Sequence, residues 1–381
     1  MQSHLGTTGL LAPLGAEQTR SIPPENLRSF RARLVAGAAA LKLAQDPCSS
    51  LEHWLEHWAR PIAWVDDSET SEPEREARDI RRAVIEQLPC LAELVVGLRD
   101  ERTTLAWLSG GRGGSDLAES VSGLLHASLS AHLSAGGDRP RAERMAAIFA
   151  ATFPNLERLR SMSGLAPMFL VGVAPGADGD VLKLYLNPRL SGGDTIECLR
   201  EMACAADIDS ARLERLARLL YLEHADVSTL YGVGIDLRLD APARFKFYVR
   251  VEAERMRSLC GGFDPEIQEP LEEVVSSLRT LSRIDQVELA AAWDGDQLSA
   301  KVTQFWDGRR IERSEEAVVL EWLDNNGTPS AALNRVFTAM RAPKTPALQR
   351  SPLRAFGVEL GQSECLDGAR AKSNLYLQPE L

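Results

Sequence analysis

The sequence predicts an α+β protein: a ten-stranded antiparallel β-barrel with a central cavity, surrounded by α-helices and built from five repeated ααββ units. Three observations predict it. First, residues 243–251 read Ala-Arg-Phe-Lys-Phe-Tyr-Val-Arg-Val, and successive side chains on a strand face opposite ways. Arg244, Lys246, Tyr248 and Arg250 therefore share one face, while Phe245, Phe247 and Val249 take the other. Second, the pattern returns with Lys183 and Tyr185, with Lys301, Thr303 and Phe305, and with Lys372, Asn374 and Tyr376. The four lysines are 63, 55 and 71 residues apart, and self-similarity at a long period signals a repeated architecture. Third, a helix-rich stretch followed by two strands occurs five times.

Taken in order, residues 23–43 and 51–59 have helical periodicity, 61–73 form an acidic loop, and 74–88 resume a charged amphipathic helix. A hairpin over 93–99 and 103–108 follows, then the Gly-rich 110–114. The second unit has helices over 117–133 and 141–162 and strands over 167–173 and 181–188. The third has helices near 195–206 and 210–222 and strands over 229–239 and 243–251. The fourth has a helix over 265–281 and strands over 286–293 and 298–306, joined by Asp294-Gly295-Asp296, a strong hairpin signal. The fifth has helices over 314–325 and 329–340 and strands near 355–361 and 371–377.

Ten strands with one apolar and one polar face suit a closed barrel, because closure removes exposed sheet edges. The apolar faces then pack under the helices and the polar faces meet inside. A row of guanidinium, ammonium and phenol groups in such an interior calls for an anionic partner.

Composition narrows the function classes. The apolar and charged fractions, 44% and 25%, are those of a soluble globular protein. No apolar run is long enough to span a membrane. A net charge of −11 argues against a nucleic-acid partner. Cys48, Cys90, Cys198, Cys204, Cys260 and Cys365 lack paired metal spacing, which points to reduced thiols in the cytoplasm. Residues 1–22 are expected to be a flexible leader and 23–381 a single domain. His53-Trp-Leu-Glu56-His57 formally matches an inverted zinc-protease pattern, but its tryptophans favour a packing face. Asp66-Asp67-Ser-Glu69 is read as a solvated acidic loop rather than a Mg²⁺ cluster, and 110–114 lacks the Lys-Ser/Thr ending of a P-loop.

The organisation resembles the ABBA prenyltransferases, and within them the dimethylallyltryptophan synthase-like family of fungi and bacteria. Lys183-Leu-Tyr185-Leu-Asn-Pro188 looks like that family's Lys-x-Tyr strand, and Arg244-Phe-Lys246-Phe-Tyr248 matches its Arg-x-Lys-x-Tyr strand. The likeness extends over about residues 25–378. It implies an aromatic prenyltransferase. Such an enzyme carries a prenyl group from an allylic diphosphate (dimethylallyl or geranyl) to an indole or tryptophan-derived acceptor. The alternatives are a terpene cyclase or diphosphate lyase on the same barrel, or prenyl transfer to a phenol or a peptide side chain. No cofactor is required on this reading, with Mg²⁺ at most stimulatory, and the protein is a monomer or homodimer.

The resemblance assigns Arg112, Lys183, Arg244, Lys246 and Lys301 to the diphosphate, with Gln304 a further contact only if a bulge turns it inward. Cations so placed stabilise the charge that develops on the leaving group. Tyr185, Tyr248 and Tyr376 would shield the allylic cation with their faces. One departure stands out. Leu98-Arg-Asp100-Glu101-Arg-Thr-Thr104-Leu105-Ala106-Trp107 has Ala106 where the family carries a Glu that receives the indole N–H. With Trp107, Ala106 is assigned to the acceptor pocket, and no catalytic base is identified. A register slip toward Glu101, a carboxylate from another strand (Asp236, Glu288 or Glu359), or an acceptor held differently remain as explanations. Ala106, Gly172, Gly232 and Gly234 are expected to leave room for a longer prenyl chain. Lys246→Ala and Arg244→Ala are expected to abolish turnover without harming the fold.

Overall fold

A computed structural model of the chain describes residues 32–33, 36–37, 39–40, 93–99, 102–111, 125, 128–129, 132–133, 136–154, 169–174, 181–188, 194–220, 230–252, 259, 263, 265–281, 286–294, 297–305, 311–325, 330–341, 351–361 and 372–377. The expected leader 1–22, the helices over 51–59 and 74–88, the acidic loop, His53, His57 and Arg112 lie outside these residues, as does most of 23–43 and 117–133.

Ten strands form the sheet. They are β1 (Glu93–Arg99), β2 (Arg102–Gly111), β3 (Phe169–Ala174), β4 (Val181–Leu186), β5 (Leu230–Leu237), β6 (Arg244–Glu252), β7 (Gln286–Asp294), β8 (Gln297–Phe305), β9 (Leu353–Gly361) and β10 (Lys372–Leu377). Every neighbour is antiparallel, and β1 pairs with both β2 and β10, so the sheet closes on itself. Closure leaves none of the ten strands with an unpaired edge.

Among the described residues the longer helices are α1 (Arg139–Thr152), α2 (Thr195–Ala205), α3 (Ser210–Leu219), α4 (Pro265–Leu281), α5 (Arg313–Asn325) and α6 (Ser330–Met340). Asp138, Asp194 and Asp209 cap α1, α2 and α3, each carboxylate accepting a hydrogen bond from a backbone N–H of the first turn. Such caps satisfy donors that the helix itself leaves open. On α1, Met145, Ile148, Phe149 and Thr152 recur at helical spacing and are buried. Among the described residues α2 and α3 precede β5 and β6, α4 precedes β7 and β8, and α5 and α6 precede β9 and β10.

Two contacts orient the sheet. Trp322 of α5 meets Phe356 of β9 with ring centroids 5.2 Å apart, and Arg215 of α3 lies 4.7 Å over the Trp293 ring of β7. The face carrying Phe356 and Trp293 is therefore the outer one. Phe245, Phe247 and Val249, Leu182, Leu184 and Leu186, and Leu289 and Ala291 share its core. Burial of a side chain the size of Phe247 is worth about 1.5–3 kcal/mol, so this layer holds the barrel inside its helices.

Candidate functional site

The other face is polar, and contacts between non-adjacent strands show that it is concave. Arg244 of β6 reaches Glu359 of β9 at 2.9 Å, across β7 and β8. Lys301 of β8 donates to the Tyr376 hydroxyl of β10 at 2.6 Å, across β9. Tyr185 of β4 and Tyr248 of β6 face one another across β5 with ring centroids 5.7 Å apart.

Basic groups gather at one end. Asp236, opposite Lys183 on one side and Arg244 on the other, has Lys246 Nζ at 2.6 Å and Lys183 Nζ at 3.6 Å. Arg244 also donates to Ser299 Oγ at 2.6 Å. Lys372 pairs in register with Glu359, which pairs with Lys301. Five cations thus surround two carboxylates, leaving surplus positive charge inside a protein whose overall charge is −11.

Electrostatics follow from burial. Desolvation alone would raise Asp236, but Lys183, Lys246 and Arg244 hold its carboxyl well below the usual carboxylate range. Glu359 is held low in the same way, against its burial, chiefly by Arg244 and Lys372. Burial pushes Lys246 well below the ordinary lysine value, with the Lys183 and Arg244 charges adding to the shift and Asp236 opposing it. Burial also lowers Lys372 and raises Tyr185 and Tyr248.

Beside the cations lies an aromatic group. Lys301 Nζ is 5.4 Å from the Tyr248 ring centroid and 5.3 Å from that of Tyr376. Gly234 is needed here: a Cβ on it would come within 3.0 Å of Tyr248 Cε2 and 3.4 Å of Tyr185 Cδ1. The space expected at Gly234 for a longer prenyl chain is thus taken by the two tyrosine rings. At Gly232 a Cβ would meet the Leu186 carbonyl oxygen at 3.1 Å.

The structure brings Lys183, Tyr185, Arg244, Lys246, Tyr248, Lys301 and Tyr376 to this one face. Gln304 is excluded, because β8 pairs with β9 without a bulge and sets Gln304 opposite Phe356 on the outer face. Ala106 pairs with Val95, and Trp107 with Val173; the side chains of both lie outside the described residues. Asp236, Ser299, Glu359 and Lys372 are the additions to the expected cradle. Alternation along β8 puts Ser299 in phase with Lys301 and along β10 puts Lys372 in phase with Tyr376, whereas Asp236 and Glu359 meet basic neighbours only through their register with the adjoining strands. Among the described residues no group of three or more His, Cys, Asp or Glu could hold a metal ion, and no helix is long and apolar enough to cross a membrane.

A closed antiparallel barrel ringed by helices, with basic and phenolic groups on its inner wall, is the prenyltransferase barrel fold, and solved structures place the chain there. A prenyltransferase, PriB, in its apo form matches 94% of this chain and 96% of its own, at 17% identity and a TM-score of 0.64. The 5-dimethylallyltryptophan synthase from Streptomyces coelicolor matches at 15% identity and a TM-score of 0.58, over 94% of this chain and 97% of its own. AnaPT from Neosartorya fischeri matches at 10% identity and a TM-score of 0.58, over 91% and 97%. No family model matches the sequence, and no curated protein matches it.

Proposed function

We propose that the chain is an aromatic prenyltransferase, moving a dimethylallyl or geranyl group from its diphosphate to an indole or tryptophan-derived acceptor. The observation that carries this reading is the convergence of Lys183, Arg244, Lys246 and Lys301 with Tyr185, Tyr248 and Tyr376 on one inner wall. PriB, the similar prenyltransferase, has been solved with L-tryptophan and dimethylallyl thiolodiphosphate, which supports the pairing of donor and acceptor.

The chemistry suits these groups. The allylic C–O bond breaks with its electron pair going to the diphosphate, whose growing charge meets fixed ammonium and guanidinium groups. The tyrosine faces stabilise the allylic cation and keep water from it. The aromatic ring then attacks, a C–C bond forms, and the ring carbon gives up its proton. On this reading the protein's own cations supply the neutralisation, so the reaction needs no metal. Arg112 as a further phosphate contact and Ala106 with Trp107 in the acceptor pocket rest on the resemblance alone, as does a single domain over 23–381.

The test is incubation with dimethylallyl or geranyl diphosphate and L-tryptophan in the presence of EDTA, with products followed by mass. A prenylated tryptophan is expected. Formation of only prenyl alcohol or hydrocarbon, no reaction at all, or a complete Mg²⁺-reversible loss in EDTA would each overturn part of this assignment.

A further inference from the structure

The inner faces of three adjacent strands run in parallel order away from the cradle. On β6 they read Arg244, Lys246, Tyr248, Arg250; on β7, Ala292, Ala290, Glu288; on β8, Ser299, Lys301, Thr303. Ala292 pairs with Lys246, Ala290 with Tyr248, and Glu288 with Arg250 and Thr303. At about 3.3 Å per residue, the six steps from Arg244 to Arg250 carry the wall roughly 20 Å from the cradle. Glu288 therefore sits beyond Tyr248, away from the phosphate end.

It differs from the other two inner carboxylates. Asp236 and Glu359 are each held by cations within 3 Å and kept low. Glu288 is only 4% exposed, and burial raises it above the ordinary glutamate value against the Arg250 and Lys301 charges. Its cross-strand neighbour Thr303 is fully buried, and Thr303 Oγ has no hydrogen-bond partner among the described residues. Gly357, opposite Thr303, keeps the hydroxyl clear, since a Cβ there would lie 2.9 Å from Oγ. A buried carboxylate beside an unmatched buried hydroxyl is costly unless a ligand completes it.

We infer that Glu288, with Thr303 beside it, is the acceptor-binding carboxylate of this barrel, receiving the ring N–H of an indole-class acceptor. The inference rests on the prenyltransferase reading. A hydrogen bond from the ring N–H to a carboxylate would stabilise the positive charge that spreads to nitrogen as the ring attacks. It would supply from β7 what Ala106 cannot supply from β2.

The test compares indole with benzofuran, the same bicycle without the N–H, titrated into the full chain saturated with dimethylallyl thiolodiphosphate. A hydrogen bond to a charged group is worth about 1.5–3 kcal/mol, or roughly 10- to 100-fold in affinity. The wild type should prefer indole by at least about tenfold, and Glu288→Leu should reduce that to near parity without weakening donor binding. Glu288→Gln, which keeps shape and a neutral acceptor, should fall between and covers the case in which the leucine variant fails to fold. An equal affinity of the wild type for the two bicycles, or an undiminished preference in the variants, overturns the inference while leaving the prenyltransferase reading standing. Failure of the wild type to bind the thiolodiphosphate removes that reading and the inference with it.

Discussion

Lys301 and Tyr376 are joined by a 2.6 Å hydrogen bond across the width of β9, and the same ammonium lies over the rings of Tyr376 and Tyr248. A protein cation thus lies in the place proposed for the substrate's carbocation. Two cations will not share it. Donor binding should draw Lys301 onto a phosphate oxygen, exchanging a phenol for a charged acceptor. Lys301→Met should therefore weaken dimethylallyl thiolodiphosphate binding about 10- to 100-fold. Tyr376→Phe, which releases the ammonium, should leave donor affinity undiminished while lowering kcat. Calorimetry and steady-state rates separate the two.

Lys246 and Asp236 form a buried pair, and this changes what substitution there should do. From the sequence alone Lys246→Ala should spare the fold, on the ground that it faces a wet cavity. With Asp236 at 2.6 Å and the two side chains 11% and 5% exposed, truncation strands a carboxylate in the interior. A loss of about 3–5 kcal/mol is expected, partly relieved by Lys183 at 3.6 Å. The double variant Lys246→Met with Asp236→Asn should recover much of that stability and none of the turnover. Chemical denaturation alongside an activity assay checks both halves.

The depressed Lys246 and Lys372 give donor binding an alkaline limit. As pH rises through a depressed pKa the ammonium loses its proton, so affinity for the diphosphate should fall before the ordinary lysine value of 10.5 is reached. Binding on that limb should take up protons. Lys246→Arg, whose guanidinium stays protonated, should flatten the limb below the ordinary lysine value, as read by calorimetry in buffers of different ionisation enthalpy. Asp236 and Glu359 titrate in the opposite sense. Their folded pKa values lie below the unfolded ones, so the stability they contribute is present above the ordinary carboxylate range. It is lost only as pH falls through the depressed values.

Gly234→Ala should act on the tyrosines. Its methyl would press on Tyr248 at 3.0 Å and on Tyr185 at 3.4 Å, and overpacking of this kind costs about 1–3 kcal/mol. The rings must part, which should lower kcat and raise the share of donor lost to hydrolysis. An unchanged ratio of prenylated product to prenyl alcohol would count against the shielding role of this pair.

Much of the architecture was legible because strand alternation is a strict rule with visible consequences. Residues 181–188 and 243–251 carried apolar and basic faces that folded as read, and the helix expected over 265–281 has those bounds in the structure. Cradle members on the basic strands could be named for the same reason. The counter-charges were harder to assign. Asp236 and Glu359 were named only as carboxylates that could stand in for the missing Glu, and periodicity says nothing about which strand lies across the lumen. That Arg244 would meet Glu359 rather than a solvent ion depends on barrel closure and strand tilt. Glu288 was likewise one carboxylate of three until register separated it from the other two. At Gly234 the empty space suggested by a missing side chain proved to be filled by neighbours, which composition cannot reveal.

The pairing of β1 with β10 has a bearing on biosynthesis. The strand nearest the front of the sheet waits for the last one, so the cylinder cannot be sealed until Leu377 has left the ribosome. Until then β1 and β9 each offer an open flank to other nascent chains, and contacts of such long sequence separation form slowly. Slow translation or removal of the last six-residue strand should therefore show up first as aggregation, before any loss of affinity could be measured.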